Sequence, residues 1–241
     1  MTIHYHGTPI TPRAVLDTLA GRHFCVSYAA PNDVKHCHDI GQSVMLDNGA
    51  FSAWTKGRAV DWQGYYDWAA PWLDYPTTWA VIPDVIDGDA AANDALIAQW
   101  PHGQRGAPVW HMHEPIDRLL RLAGQWQRVC IGSSAEFATV GGRHWHNRMV
   151  QAMNALCGDG PPPCWLHMLR GMSMAGNIFP FASLDSTDVA RNHNRKHNSA
   201  SAMAAKWDAQ QCRARWTMRP TLQPLMEVVP RLDGKILETF A

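Results

Sequence analysis

The stretch Val44-Met45-Leu46-Asp47-Asn48-Gly49-Ala50-Phe51 runs an apolar segment into a carboxylate and then into a residue pair suited to a tight turn. The same grammar recurs along the chain. Trp79-Ala80-Val81-Ile82-Pro83-Asp84 and Phe179-Pro180-Phe181-Ala182-Ser183-Leu184-Asp185 both close on an aspartate, Pro108-Val109-Trp110 closes on His111, and Val129-Cys130-Ile131 on Gly132-Ser133-Ser134. Short buried strands with a polar residue at the C-terminal end are what a parallel α/β barrel requires, because its active site gathers at that face. Endings of this kind, repeated, point to one shared site.

The remaining periodicity fits that frame. Strands are expected at 24–29, 44–47, 79–84, 107–111, 128–132, 164–169 and 181–185, which leaves the eighth stave of a TIM-type (β/α)8 barrel unassigned and allows an irregular closure. Helices are expected from Thr11-Pro12 to about Gly21, with threonine as cap and proline at the first helical position, and over 61–73, 89–100, 115–126, 143–157 and 199–215. The segment 115–126 is the most clearly amphipathic, with Ile116, Leu119, Leu120, Leu122, Ala123 and Trp126 mostly on one face. Methionines at 149 and 153 read as core filling. A length of 241 residues suits one barrel domain, 1–241, with a basic C-terminal segment from about 186.

Composition narrows the class. The chain is 46% hydrophobic and 17% charged, which is globular, and it holds twelve tryptophans. Net charge is zero but unevenly spread: residues 186–241 carry nine Lys+Arg against five Asp+Glu. Such a segment suits a polyanion or an ordinary solvated face. Six scattered cysteines and no apolar leader predict a reducing, cytoplasmic setting, the host cytoplasm if the gene is a phage's. No run approaches the roughly 18 apolar residues of a membrane span, so no membrane association is expected.

Asp47, Asp84 and Asp185 are each explicable alone. Asn48-Gly49 could make Asp47 a hairpin flank, Asp84 could bond neighbouring amides, and Asp185 precedes residues that could cap a helix. Their recurrence at equivalent positions is not required by turn chemistry. Carboxylates sharing a pocket allow a nucleophile and a general acid/base to be separated by environment, which is the division used in cleaving a glycosidic bond. His111 and His113, with His167 and Asp185, are weak candidates for a metal site; Cys157, Cys164 and His167 have no standard zinc spacing. No cofactor is implied. The polar, basic run Asn192–Asn198, with Arg195 and Lys196 and with Arg191 just before it, reads as a surface loop or as a contact for substrate phosphates.

In order, these motifs resemble the queuine and guanine transglycosylases of tRNA, and more closely their shorter phage relatives that place 7-deazaguanine bases into DNA. Leu46-Asp47-Asn48-Gly49-Ala50-Phe51 is similar to the family's Asp-Ser-Gly-Gly-Phe element. Ile82-Pro83-Asp84, Val109-Trp110-His111, Ile131-Gly132-Ser133-Ser134 and Ser183-Leu184-Asp185-Ser186 fall where the family has its base-reading aspartate, its base-contacting glutamine, its pocket glycines and its nucleophilic aspartate. The resemblance, over about residues 44–195, implies a barrel that exchanges guanine for a free 7-deazaguanine such as 7-cyano-7-deazaguanine (preQ0). Asp185 would attack C1′ and Asp47 would carry the proton. Asp84 would read the purine edge, with Asn48, Phe51, His111, Gly132, Ser133 and Ser134 completing the pocket and Arg191, Arg195 and Lys196 meeting the nucleic acid. The family's Cys-x-Cys-x-x-Cys zinc cluster is missing from this sequence, which favours DNA over tRNA. The residues leave other readings open: a glycosylase or nucleoside hydrolase on the same scaffold, a metal-dependent barrel hydrolase, and a non-catalytic nucleic-acid-binding module.

Overall fold

A computed structural model describes residues 1–195 and 197–221. In chain order the elements are β1 (Ile3–Gly7), α1 (Arg13–Asp17), β2 (His23–Ser27), α2 (Val34–Ile40), β3 (Ser43–Asp47), α3 (Ala50–Thr55), α4 (Trp62–Leu73), β4 (Thr78–Val81), α5 (Ala90–Gln99), β5 (Gly106–Ala107), β6 (Val109–His111), α6 (Ile116–Gln125), β7 (Arg128–Gly132), α7 (Arg143–Cys157), β8 (Trp165–Met168), β9 (Ser183–Ser186), α8 (Asp188–Asn192) and α9 (Ala200–Asp208). The sheet order is β5-β4-β3-β2-β1-β9-β8-β7-β6, and every pairing is parallel. This is the expected TIM-type barrel, nearly closed, with one unsealed seam.

The seam has a local cause. The expected strand 107–111 is split at Pro108, which has no N–H to donate to a ladder. Before the proline, Gly106 and Ala107 pair with β4; after it, Val109 to His111 pair with β7. The carbonyl of Ala107 accepts from Ile82 N at 2.9 Å and that of Pro108 from Cys130 N at 2.9 Å, so one segment serves both edges in turn.

The stave that the sequence did not reveal is β1, which lies between β2 and β9. Its sequence, Ile3-His4-Tyr5-His6-Gly7, puts histidines where an apolar pattern is expected, yet both are buried, at 2% and 0% exposure. Tyr5 turns into the barrel, where its hydroxyl accepts from Trp79 Nε1 at 2.9 Å. His4 and His6 turn outward under α9 and meet Asp208.

Period-two alternation explains what reaches the barrel interior. Tyr5, Cys25, Met45, Trp79, Val81, Ala107, Val109 and Cys130 form the inner cluster. Their neighbours, such as Phe24, Val44, Leu46, Ala80, Val129 and Leu184, face the helices in two larger clusters. The next inward positions toward the C-terminal ends of β3, β6, β7 and β9 are therefore Asp47, His111, Gly132 and Asp185. Sequence pattern alone thus sets which side chains meet.

Capping follows simple chemistry. Asp61, Asp89 and Ser199 accept from Gly64 N, Ala92 N and Ala202 N at 3.0, 2.8 and 3.2 Å and start α4, α5 and α9. Helix α1 ends at Asp17, short of the expected Gly21, and two other helix ends also differ from expectation. Thr11 does not cap α1; the cap position is Pro12, and no side chain bonds there. Helix α9 stops at Asp208, not Arg215, because the chain turns back across the N-terminal segment, with Cys212 N donating to Thr2 Oγ1 at 2.9 Å. On α6, Leu119, Leu122 and Ala123 are buried while Leu120 is exposed. Met149 and Met153 are core, as expected. Among the described residues no helix is long and apolar enough to cross a membrane.

Candidate active site

The three aspartates share one small cavity of about 50 Å3 at the C-terminal end of the barrel, lined also by Asn48, Phe51, His111, Gly132, Ser133 and Arg170. A ligand larger than a water or two enters it only when the Arg170–Phe51 cover moves. Each carboxylate is held differently, and the differences assign their chemistry.

Asp47 closes β3. Its Oδ2 accepts from Ser27 Oγ at 2.6 Å and from Gly49 N at 3.1 Å. Gly49 sits at φ 77 and begins α3, so Asn48-Gly49 bends a strand into a helix and makes no hairpin. A side chain there would be strained. Burial pushes the Asp47 carboxyl up to about 6, and the neighbouring charges of Asp185 and Asp84 add to the rise, while the Ser27 and Gly49 bonds oppose it.

Asp84 is the most enclosed of the three, at 5% exposure. Oδ1 accepts from Asn48 Nδ2 at 2.7 Å, and Oδ2 lies 2.8 Å from His111 Nε2, which donates in the matching tautomer. Asn48 is itself fixed, donating to the Ile82 carbonyl at 2.9 Å and accepting from Ala50 N at 2.8 Å. Asp84, Asn48 and His111 therefore form a preassembled polar wall. His111 Nδ1 has no partner among the described residues. A Cβ at position 132 would lie 2.8 Å from that nitrogen, so glycine there keeps the wall open.

Asp185 closes the inward face of β9. Its Oδ1 accepts from Arg170 N at 2.6 Å and lies 3.2 Å from His167 Nε2. His167 is oriented through Nδ1 by Ser183 Oγ at 2.8 Å, and that hydroxyl also accepts from Trp165 Nε1 at 2.7 Å. No described residue donates to Oδ2. The carboxylate is thus fixed by one oxygen and leaves the other without a donor among the described residues.

Arg170 is the functional residue that the sequence reading passed over. It follows β8 and Leu169, so it obeys the strand-ending grammar, but a lone arginine has no motif of its own. Its φ of 53 is left-handed, a strained geometry that aims the main-chain N–H at Asp185. Its guanidinium covers the Phe51 ring at 3.8 Å and donates to the Ser133 carbonyl at 3.2 Å. Burial lowers its pKa, and the charges of Asp185, Asp47 and Asp84 oppose that. One cation thus faces three carboxylates. Glu114 and Arg118 were also unforeseen. Glu114 accepts from His111 N at 2.9 Å and from Arg118 Nη1 at 2.6 Å, and stiffens the wall from behind.

The other expected residues separate. Ser133 lines the inner cavity, and its hydroxyl accepts from Trp145 Nε1 at 2.9 Å. Ser134 lies in an outer vestibule with Phe51, Trp54, His113 and Arg170, 2.7 Å from His113 Nδ1. The candidate metal ligands do not converge. His111 meets Asp84, His113 meets Ser134 and the Gly88 carbonyl, and His167 meets Asp185 and Ser183. Among the described residues no group of three His, Cys, Asp or Glu side chains could hold a metal ion. Arg191 and Arg195 are exposed and line no part of either cavity; Lys196 lies outside the described residues. Cys25 and Cys130 remain neutral thiols, their pKa raised by burial first and by the Asp185 charge next.

No protein-family model, curated protein or solved structure matches the chain.

Proposed function

We propose that the protein is a glycosyltransferase of the base-exchange kind, replacing guanine in DNA with a free 7-deazaguanine through a covalent aspartyl-sugar intermediate. The reading is carried by one observation: three carboxylates in one cavity, of which Asp185 has an unpartnered oxygen, Asp47 has a pKa raised to about 6, and Asp84 belongs to a fixed hydrogen-bonding wall. Environments that push neighbouring carboxylates apart separate nucleophile from acid/base. The motif order supplies guanine and DNA; the geometry supplies the division of labour.

Asp185 Oδ2 attacks C1′ as the C1′–N9 bond breaks, and the departing guanine takes its proton from Asp47. The incoming base returns its N9 proton to Asp47, attacks C1′ and frees Asp185. A pKa near 6 suits both directions close to neutrality. Asn48, Asp84 and His111 form the wall that meets the base edge. Such a site acts on a base taken out of its stack. Arg170 moves off Phe51 to admit it.

The test is release of radiolabelled guanine from DNA by the purified protein, with and without 7-cyano-7-deazaguanine, beside Asp185→Ala and a tRNA arm. Release from DNA that needs both Asp185 and the added base is the expected result. Release without added base would replace exchange with hydrolysis, and release from neither polymer would overturn the proposal.

A further inference from the structure

Helix α3 is only six residues long, yet it borders three cavities. Its start, with Phe51, walls the inner cavity. Phe51 and Trp54 line the vestibule. On its other flank Asn48, Ser52, Lys56 and Arg58 line a separate cavity of about 200 Å3.

The two flanks differ in chemistry. Phe51 and Trp54, three residues apart, share a face; their ring centroids are 5.8 Å apart, and they are 38% and 48% exposed. Single exposed aromatics are ordinary, but these adjoin the mouth of the cavity. Lys56 and Arg58 are exposed and have no ion-pair partner among the described residues. Two carboxylates lie nearby: Asp61 lines the cationic cavity, with Oδ1 committed to capping α4, and Asp87 lines the vestibule. The Lys56-Gly57-Arg58 turn folds back on the helix, with Arg58 N donating to the Ala53 carbonyl at 2.9 Å.

A strand of nucleic acid needs these two things side by side: π faces for bases and unpaired cations for phosphates. We infer that α3 and the turn after it form a rail for the single-stranded nucleic acid flanking the extruded base, with a neighbouring base stacked on Trp54 and the backbone phosphate held between Lys56 and Arg58. This rests on the proposed base exchange for the position of the extruded base. It is a separate place from Arg191 and Arg195, which line none of these cavities.

The experiment is a fluorescence-anisotropy titration of a labelled single-stranded DNA oligonucleotide over a range of salt, with an RNA of the same sequence and a DNA duplex as further arms. Trp54→Ala should weaken binding about tenfold and Trp54→Phe should restore most of it. Lys56→Ala with Arg58→Ala should weaken binding and make the slope of log K against log salt shallower by about one to two. In turnover both variants should raise KM for DNA and leave kcat within about twofold, with melting temperatures near wild type. Binding by the variants equal to wild type, or no binding of any oligonucleotide by wild type, would overturn the inference. Binding lost in the variants from a protein that exchanges no base would leave the rail standing and remove the exchange reading; base exchange by the variants with a wild-type KM for DNA would do the reverse.

Discussion

Two buried polar clusters sit on this barrel, one inside β3 and β9 and one outside β1, and they are built on opposite rules. Under α9, Asp208 meets His6 at 3.1 Å, His4 at 3.8 Å and the Arg22 guanidinium. Burial would raise the Asp208 pKa, but the bonds and charges of His6 and Arg22 outweigh it and the pKa falls. Inside the barrel, three carboxylates face one arginine, and Asp47 rises to about 6. The first cluster relieves its charges and locks a helix to a strand. The second gathers like charges, which costs stability and leaves one group, Asp47, exchanging its proton near pH 6.

The comparison breaks most visibly with Asp185→Asn, which should lower base exchange by about a thousandfold or more while the protein melts as wild type, because it removes the proposed nucleophile and keeps the shape. Next in size is Asp208→Asn, expected to cost about 1–3 kcal/mol in urea unfolding, since it leaves buried histidines without their partner, while KM stays unchanged. The lowered Asp208 pKa means the native state binds fewer protons than the unfolded one. Its contribution is present above the ordinary carboxylate pKa and is lost as pH falls through the native value.

Asp47→Asn should have the opposite sign. Its native pKa is raised, so the folded protein holds a proton between about pH 4 and 6 that the unfolded chain has lost, and wild-type stability falls as pH rises through that window. At pH 7 the variant should be more stable by about 1–2 kcal/mol, with the gain vanishing near pH 4, and it should lose exchange activity. A single-turnover guanine-release profile sharpens this point: the wild-type rate should fall with pH above about 6, and the variant should show no such limb. The smallest expected effect is Gly132→Ala, which crowds His111 Nδ1 and should raise KM for the incoming base about tenfold or less.

How far the sequence disclosed these regions follows from the same contrast. Asp47, His111 and Asp185 were legible because each stands at the inward, C-terminal position of an apolar strand, and period two alone brings such positions together. β1 was not legible, because its outward histidines lie against Asp208, about two hundred residues away in the chain, and a pattern of polarity cannot anticipate a distant carboxylate. The wall made by Asp84, Asn48 and His111 was half legible: the residues were named, but their mutual bonds depend on the barrel closing. Arg170 followed the strand-ending grammar, yet its role depends on a left-handed backbone that the local sequence does not announce. The split at Pro108 was readable in principle, since proline inside a strand argues for an interrupted ladder.

The most direct test of the central claim is intact-protein mass spectrometry after rapid denaturation of the protein mixed with guanine-containing DNA and no incoming base, in 18O-labelled water. A covalent protein–DNA species that maps to Asp185, is absent from Asp185→Asn and is discharged by 7-cyano-7-deazaguanine is the result this account predicts. Guanine release with no adduct at any time, and with 18O at C1′ from the first turnover, would contradict it.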